Sequence, residues 1–135
     1  MICQKEVPQL LLDEGFESKP YQDTLGVWTI GHSLTFLTEE ESRTIVEVFR
    51  LPAIQHALFK RQPWIKGAHP VVQMVLINMA YQLGVEGVSA FKKTILALRN
   101  EDYATAGDEM VDSKWFKQTP NRAQRLINRI RGLSL

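Results

Sequence analysis

The sequence predicts an α+β fold, a small β element set between helices and followed by a larger helical lobe. Three observations predict it. Residues 20–35, PYQDTLGVWTIGHSLT, favour strands and carry the glycine punctuation of a hairpin. The stretch from Val71 to Leu83 is apolar nearly all round, the pattern of a central helix. The remainder is divided by helix-start and helix-stop signals rather than by strand alternation.

Taken in order, residues 5–14 read as a short helix. Leu10, Leu11 and Leu12 give it apolar bulk and Gly15 stops it. Tyr21, Val27, Trp28, Thr29 and Ile30 then build a hairpin or a three-stranded sheet, with a turn near Asp23–Gly26. Thr38 with Glu41 forms a capping box that opens a helix at Glu39, and Pro52 divides or kinks that helix. Pro63 and Gly67 mark a loop, and Pro70 suits the first turn of the next helix. That helix, buried on every side, ends at Gly84. Further helices are expected near residues 87–98, 102–111 and 113–117, with Asp102 as a cap. Thr119 and Pro120 open a last helix that ends at Gly132. No repeat or low-complexity stretch interrupts the series.

A chain of 135 residues fits one compact domain or two small lobes sharing a core. Its net charge of +1 gives no push toward nucleic acid. Charge is uneven along the chain: Arg122, Arg125, Arg129 and Arg131 lie close together, and Glu39, Glu40 and Glu41 form an acidic run. Both read as solvated helix faces. Cys3 is the only cysteine, so no internal disulfide forms. No run of about 18 apolar residues is present, which predicts no stable membrane insertion. The opening MICQKEVPQLLLDEGF lacks a signal peptide's layout, so folding in the cytosol is expected. His32, His56 and His69 lack the paired spacing of a zinc motif, and no metal or cofactor is expected.

The chemistry-bearing residues are carboxylates. Glu14 closes an apolar helix beside Gly15 and Phe16, where partial shielding from water disfavours the charged form. Asp23 lies nine residues on, in a polar turn that keeps a carboxylate ionised. Two carboxylates in opposed surroundings suit glycosidic cleavage. Thr29, on the following strand, could hold a water. From the residues alone, Glu14 reads equally as a helix-end surface residue, Asp23 as a turn-former and Thr29 as a strand residue.

The segment LLLDEGFESKPYQDTLGVWTIG resembles the start of the T-even phage lysozyme family. That family has Glu-Gly at the end of its first helix, then Tyr-x-Asp-Thr-x-Gly, then Thr-Ile-Gly. LINMAYQLGVEGVSAF and SKWFKQTPNRAQRLINRIR resemble the core and late helices of the same lysozymes. The two blocks stand in the family's order, and together they cover about half of the chain.

The resemblance implies a lysozyme-like single domain, with a small lobe over about residues 13–50 and a helical lobe over about 60–135 that includes the N-terminal helix. A cleft is expected between the lobes. Glu14 matches the general acid, Asp23 the second catalytic carboxylate and Thr29 the catalytic threonine. Arg122 matches an arginine paired with the acid. Tyr81 and Gln82 match cleft positions, and Thr94 matches a substrate-contacting hydroxyl. Trp115 is expected in the core. The implied substrate is peptidoglycan, cut between N-acetylmuramic acid and N-acetylglucosamine with inversion. The implied setting is a monomeric endolysin that stays in the host cytoplasm until a holin breaches the membrane. A lytic transglycosylase or a non-catalytic wall-binding domain of the same fold are the alternatives.

Three departures from the family pattern stand out. TIGHSLT replaces Thr-Ile-Gly-x-Gly-His, so either His32 is the family histidine after a two-residue loss or Leu34 takes its place and His32 is a structural residue. The stretch from Thr35 to Pro63 is shortened, which trims the small lobe. Glu109 stands where the family has a substrate-contacting asparagine.

Overall fold

The computed structural model describes residues 2–134, without the side chains of Ile2, Cys3 and Glu6, so the reading of Cys3 lies outside the described residues. The chain divides into two compact units, Met1–Thr44 and Ile45–Leu135.

In the first unit, helix α1 (Ile2–Glu14) begins earlier than expected and carries Pro8 in its interior. Strands β1 (Glu17–Gln22) and β2 (Trp28–Gly31) form a two-stranded antiparallel hairpin that pairs Tyr21 with Thr29 and Gln22 with Trp28. Among the described residues no third strand forms. The chain instead folds back at once, and Ile30 and Leu34 make an isolated antiparallel bridge. Helix α2 (Glu39–Thr44) starts where the capping pair predicts. The Glu41 amide donates to the Thr38 hydroxyl at 3.1 Å, and that hydroxyl donates to the Glu41 carboxylate at 2.9 Å. Thr29 is the one buried side chain among the described residues of this unit. Leu10, Leu11 and Leu12 find no cover within it.

The second unit opens with a π-helical segment, Ile45–Arg50, followed by α3 (Leu51–Arg61). The return to α geometry falls at Leu51–Pro52, where the missing proline N–H belongs to a first turn and costs no hydrogen bond. The expected loop at Pro63–Gly67 is a 3₁₀ turn. Helix α4 (Pro70–Ser89) is two helices meeting at Gly84, whose φ of 79° and ψ of 163° leave the helical region. Helices α5 (Lys92–Arg99), α6 (Tyr103–Val111), α7 (Lys114–Gln118) and α8 (Pro120–Arg131) follow. Asp102 caps α6 by accepting from the Thr105 amide at 3.2 Å. Thr119 does stand before α8, but its hydroxyl makes no cap bond. It donates instead to the Trp115 carbonyl at 3.1 Å.

The core belongs to this second unit. Val72, Val75, Leu76, Met79 and Ala80 of α4 face Ala123, Leu126, Ile127 and Ile130 of α8, and Leu58, Ala106, Met110 and Trp115 complete the cluster. Both helices bury positions i, i+3, i+4 and i+7, one stripe of each. Each valine, leucine, isoleucine or methionine among them contributes about 1.5–3 kcal/mol by leaving water. The expectation that α4 is buried on every side is therefore corrected. Met74, Asn78 and Tyr81 lie on its exposed face, because its neighbours within the second unit pack against the Val72–Met79 stripe. Among the described helices, α4 is also long and apolar enough to span a bilayer, with a mean hydropathy of 1.3 over its best window. Core packing accounts for that composition, and Gln73, Asn78, Gln82 and Glu86 interrupt it.

Candidate active site

Glu14 is the last residue of α1. The helix stops there because Gly15 adopts a left-handed φ of 67°, and its amide closes the final turn on the Leu11 carbonyl at 3.0 Å. The next residue, Phe16, lays its ring against His32, with centroids 5.3 Å apart and planes tilted by 46°. The Ser33 hydroxyl donates to the Glu14 carbonyl at 3.2 Å. Sequence reasoning placed partial shielding around the Glu14 carboxylate. Within its own unit that side chain is exposed, since the leucines before it build no core there.

Asp23 sits at the head of the hairpin turn, half-buried. Its Oδ1 accepts from the Leu25 amide at 2.8 Å and from the Val27 amide at 2.9 Å. The backbone closes the same turn: the Asp23 amide donates to Val27 at 2.9 Å, and the Gly26 amide donates back to Asp23 at 3.0 Å. Gly26 is required here, because its φ of 78° is a conformation that L side chains rarely adopt. Asp23 Oδ2 takes none of the hydrogen bonds among the described residues.

Thr29 is 4% exposed, and its hydroxyl donates to the Val27 carbonyl at 2.9 Å. Val27 thus ties the two side chains together, holding Asp23 by its amide and Thr29 by its carbonyl. With its proton committed, the Thr29 oxygen retains only acceptor capacity.

The remaining candidates lie in the second unit. Arg122 of α8 donates from Nε and Nη2 to the Asn78 side-chain oxygen at 3.1 and 2.8 Å, and from Nη2 to the Asn78 carbonyl at 3.1 Å. Asn78 had no place in the sequence reading, although it lies on the same helix as Tyr81 and Gln82. Tyr81 is 47% exposed. Gln82 is fixed at both ends of its amide: its oxygen accepts from the Trp115 indole at 3.0 Å, and its nitrogen donates to the Thr119 hydroxyl at 3.4 Å. Trp115 is buried, as expected, and packs edge-on to Phe91. Thr94 is buried and lines a cavity of about 570 Å³ together with Phe91, Glu109, Trp115 and Gln118. Thr94 and Glu109, separated in sequence, therefore line the same cavity.

A helical domain with a small antiparallel sheet, carrying a helix-end glutamate and an aspartate–threonine hairpin, has the lysozyme-like α+β fold. The model of the phage lysozyme family matches residues 12–131, and the chain belongs to that family. It is 38% identical over 63 residues to a probable T4-type lysozyme 1 of Dictyostelium discoideum, a stretch covering 47% of this chain and 37% of that protein. It is 39% identical over 56 residues to a second such protein of the same organism, covering 42% and 33%. A third relative is the pre-baseplate central spike protein Gp5 of Enterobacteria phage T4, 43% identical over 54 residues, which are 40% of this chain and 9% of that one. The matched stretch thus spans about a third of the length of the first two relatives.

Proposed function

We propose that this protein is a peptidoglycan hydrolase, a muramidase that cuts the β-1,4 bond between N-acetylmuramic acid and N-acetylglucosamine. The observation that carries this reading is the Asp23–Val27–Thr29 network, in which one residue of the hairpin holds both the carboxylate and the hydroxyl. Glu14 protonates the departing glycosidic oxygen, and a sugar ring lying over it supplies the dry surroundings that such an acid needs. Asp23 takes a proton from the water held with Thr29 while that water attacks the anomeric carbon from the opposite face. This is the inverting arrangement. Tyr81, Gln82 and Thr94 contact the glycan, as the family resemblance implies, while Arg122 is engaged by Asn78. The protein acts as a monomeric endolysin, made in the host cytoplasm and reaching the wall after a holin opens the membrane.

Product analysis on purified Gram-negative peptidoglycan tests the reading. Mass spectrometry should find reducing N-acetylmuramic acid ends. Proton NMR of a fresh digest should show the α-anomer first. Anhydro ends would mean a lytic transglycosylase, and an absence of products would mean a wall-binding domain. A β-anomer formed first would remove the water-activating role from Asp23 and Thr29.

A further inference from the structure

We infer that Ser33 is a positioning residue for Glu14, acting through the main chain at the end of α1. This inference rests on Glu14 being the acid.

The last carbonyls of a helix have no partner within it. The last turn of α1 carries no basic side chain to serve them. The Gly15 amide takes the carbonyl of Leu11, and the Ser33 hydroxyl, 19 positions away in sequence, takes that of Glu14. Helix ends fray first, and the residue moved by fraying here is Glu14 itself. The ring contact between Phe16 and His32 closes the same junction one residue further on. The turn that carries His32 and Ser33 is therefore seated on the end of α1 by two adjacent contacts.

The backbone of that turn is informative. Ile30 and Leu34 exchange both amide–carbonyl bonds, at 2.9 and 2.8 Å. The residues they enclose include Gly31 at φ 67° and Ser33 at φ 59°. Glycine meets the left-handed requirement at position 31. At position 33 the chain uses serine, which adopts that region only at a conformational cost. Glycine would relieve that cost and would lack the hydroxyl. The hydroxyl is what serine supplies at this position, and its bond goes to the residue that carries the acid.

The experiment compares Ser33→Gly, Ser33→Asn and Glu14→Gln, alone and with Ser33→Gly added to Glu14→Gln, on soluble peptidoglycan oligomers. Ser33→Gly removes the hydroxyl and the backbone cost together, so the protein stays folded. It should lower kcat about fivefold, the worth of one net hydrogen bond, with KM and Tm unchanged. Asparagine tolerates the left-handed region and has an N–H to donate, so Ser33→Asn should recover most of the rate. In the Glu14→Gln background, Ser33→Gly should cause no further fall. An unchanged kcat in Ser33→Gly would overturn the inference. So would a loss that follows Tm, or the same fractional loss in both backgrounds. Near-normal activity of Glu14→Gln alone would instead remove the acid assignment, whatever Ser33 does.

Discussion

Replacing Asp23 by asparagine separates the two tasks of that side chain. Its Oδ1 holds the hairpin turn by accepting from the amides of Leu25 and Val27, and an asparagine oxygen can accept the same two bonds. The other oxygen becomes an amide nitrogen, which cannot take a proton from water. Asp23→Ala removes both functions. A hydrogen bond is worth about 0.5–1.5 kcal/mol net, and water reaching the half-exposed turn offsets part of the loss, so alanine should cost about 1–2 kcal/mol in total. For a protein of this size that lowers Tm by roughly 3–8 °C, and asparagine should lower it by less than about 2 °C. Both variants should lose about 10²- to 10⁴-fold in kcat, the usual contribution of general acid–base catalysis. Thermal melts followed by circular dichroism, beside release of reducing ends from peptidoglycan, measure the two effects separately. The reasoning fails if Asp23→Asn keeps more than about a tenth of the rate, a loss too small for general base catalysis. It fails equally if Asp23→Asn melts as low as the alanine variant, because the turn would then depend on the charge rather than on the acceptor.

Two other consequences are open to measurement. Arg122→Ala and Asn78→Ala should each destabilise the second unit, and the double variant should fall short of their sum by about 0.5–3 kcal/mol in urea melts, because the two side chains share two hydrogen bonds while a third reaches the Asn78 main-chain carbonyl. At the start of α6, the Thr105 hydroxyl, followed by its amide, holds Asp102 below the ordinary value of 3.8. A depressed carboxylate contributes stability that is complete above its unfolded value and is lost as pH falls through its folded one. Asp102→Ala should therefore melt below the parent protein at neutral pH, with the gap closing in acid below 3.8.

What could be read from the sequence was local. The Asp23 turn, the Thr38–Glu41 cap and the Asp102 cap each involve residues within four positions of one another, so their geometry follows from spacing alone. The break at Gly84 was visible for the same reason. What escaped was set by distant partners. Thr119 has the position of a cap, but the Trp115 carbonyl and the Gln82 amide claim its hydroxyl. Arg122 and Asn78 meet across 44 positions, and Ser33 reaches Glu14 across 19, neither of which any local pattern announces. The exposure of Glu14 has the same cause. Three leucines before it promise burial only if something packs on them, and hairpin spacing does not say what does.

The proposed chemistry and the stability of the chain therefore rest on different physics. The buried apolar cluster lies wholly in the second unit, whereas Glu14, Asp23 and Thr29 lie in a unit whose one buried side chain, among the described residues, is a threonine. A two-stranded hairpin without a core is marginal in water. Within its own unit the hairpin is held by directed bonds, and they lie at the chemical groups. Val27 fixes Asp23 and Thr29, Ser33 fixes the main chain of Glu14, and the Thr38–Glu41 pair fixes the start of α2. Core truncations such as Met79→Ala act on the global transition, since Met79 is fully buried. Loss of a single hydroxyl at position 29 or 33 acts on the placement of the reacting groups while the second unit stays folded. Native-state hydrogen exchange distinguishes the two cases. Amides near Val27 and Gly15 should lose protection in the hydroxyl variants, while those of α4 and α8 keep theirs.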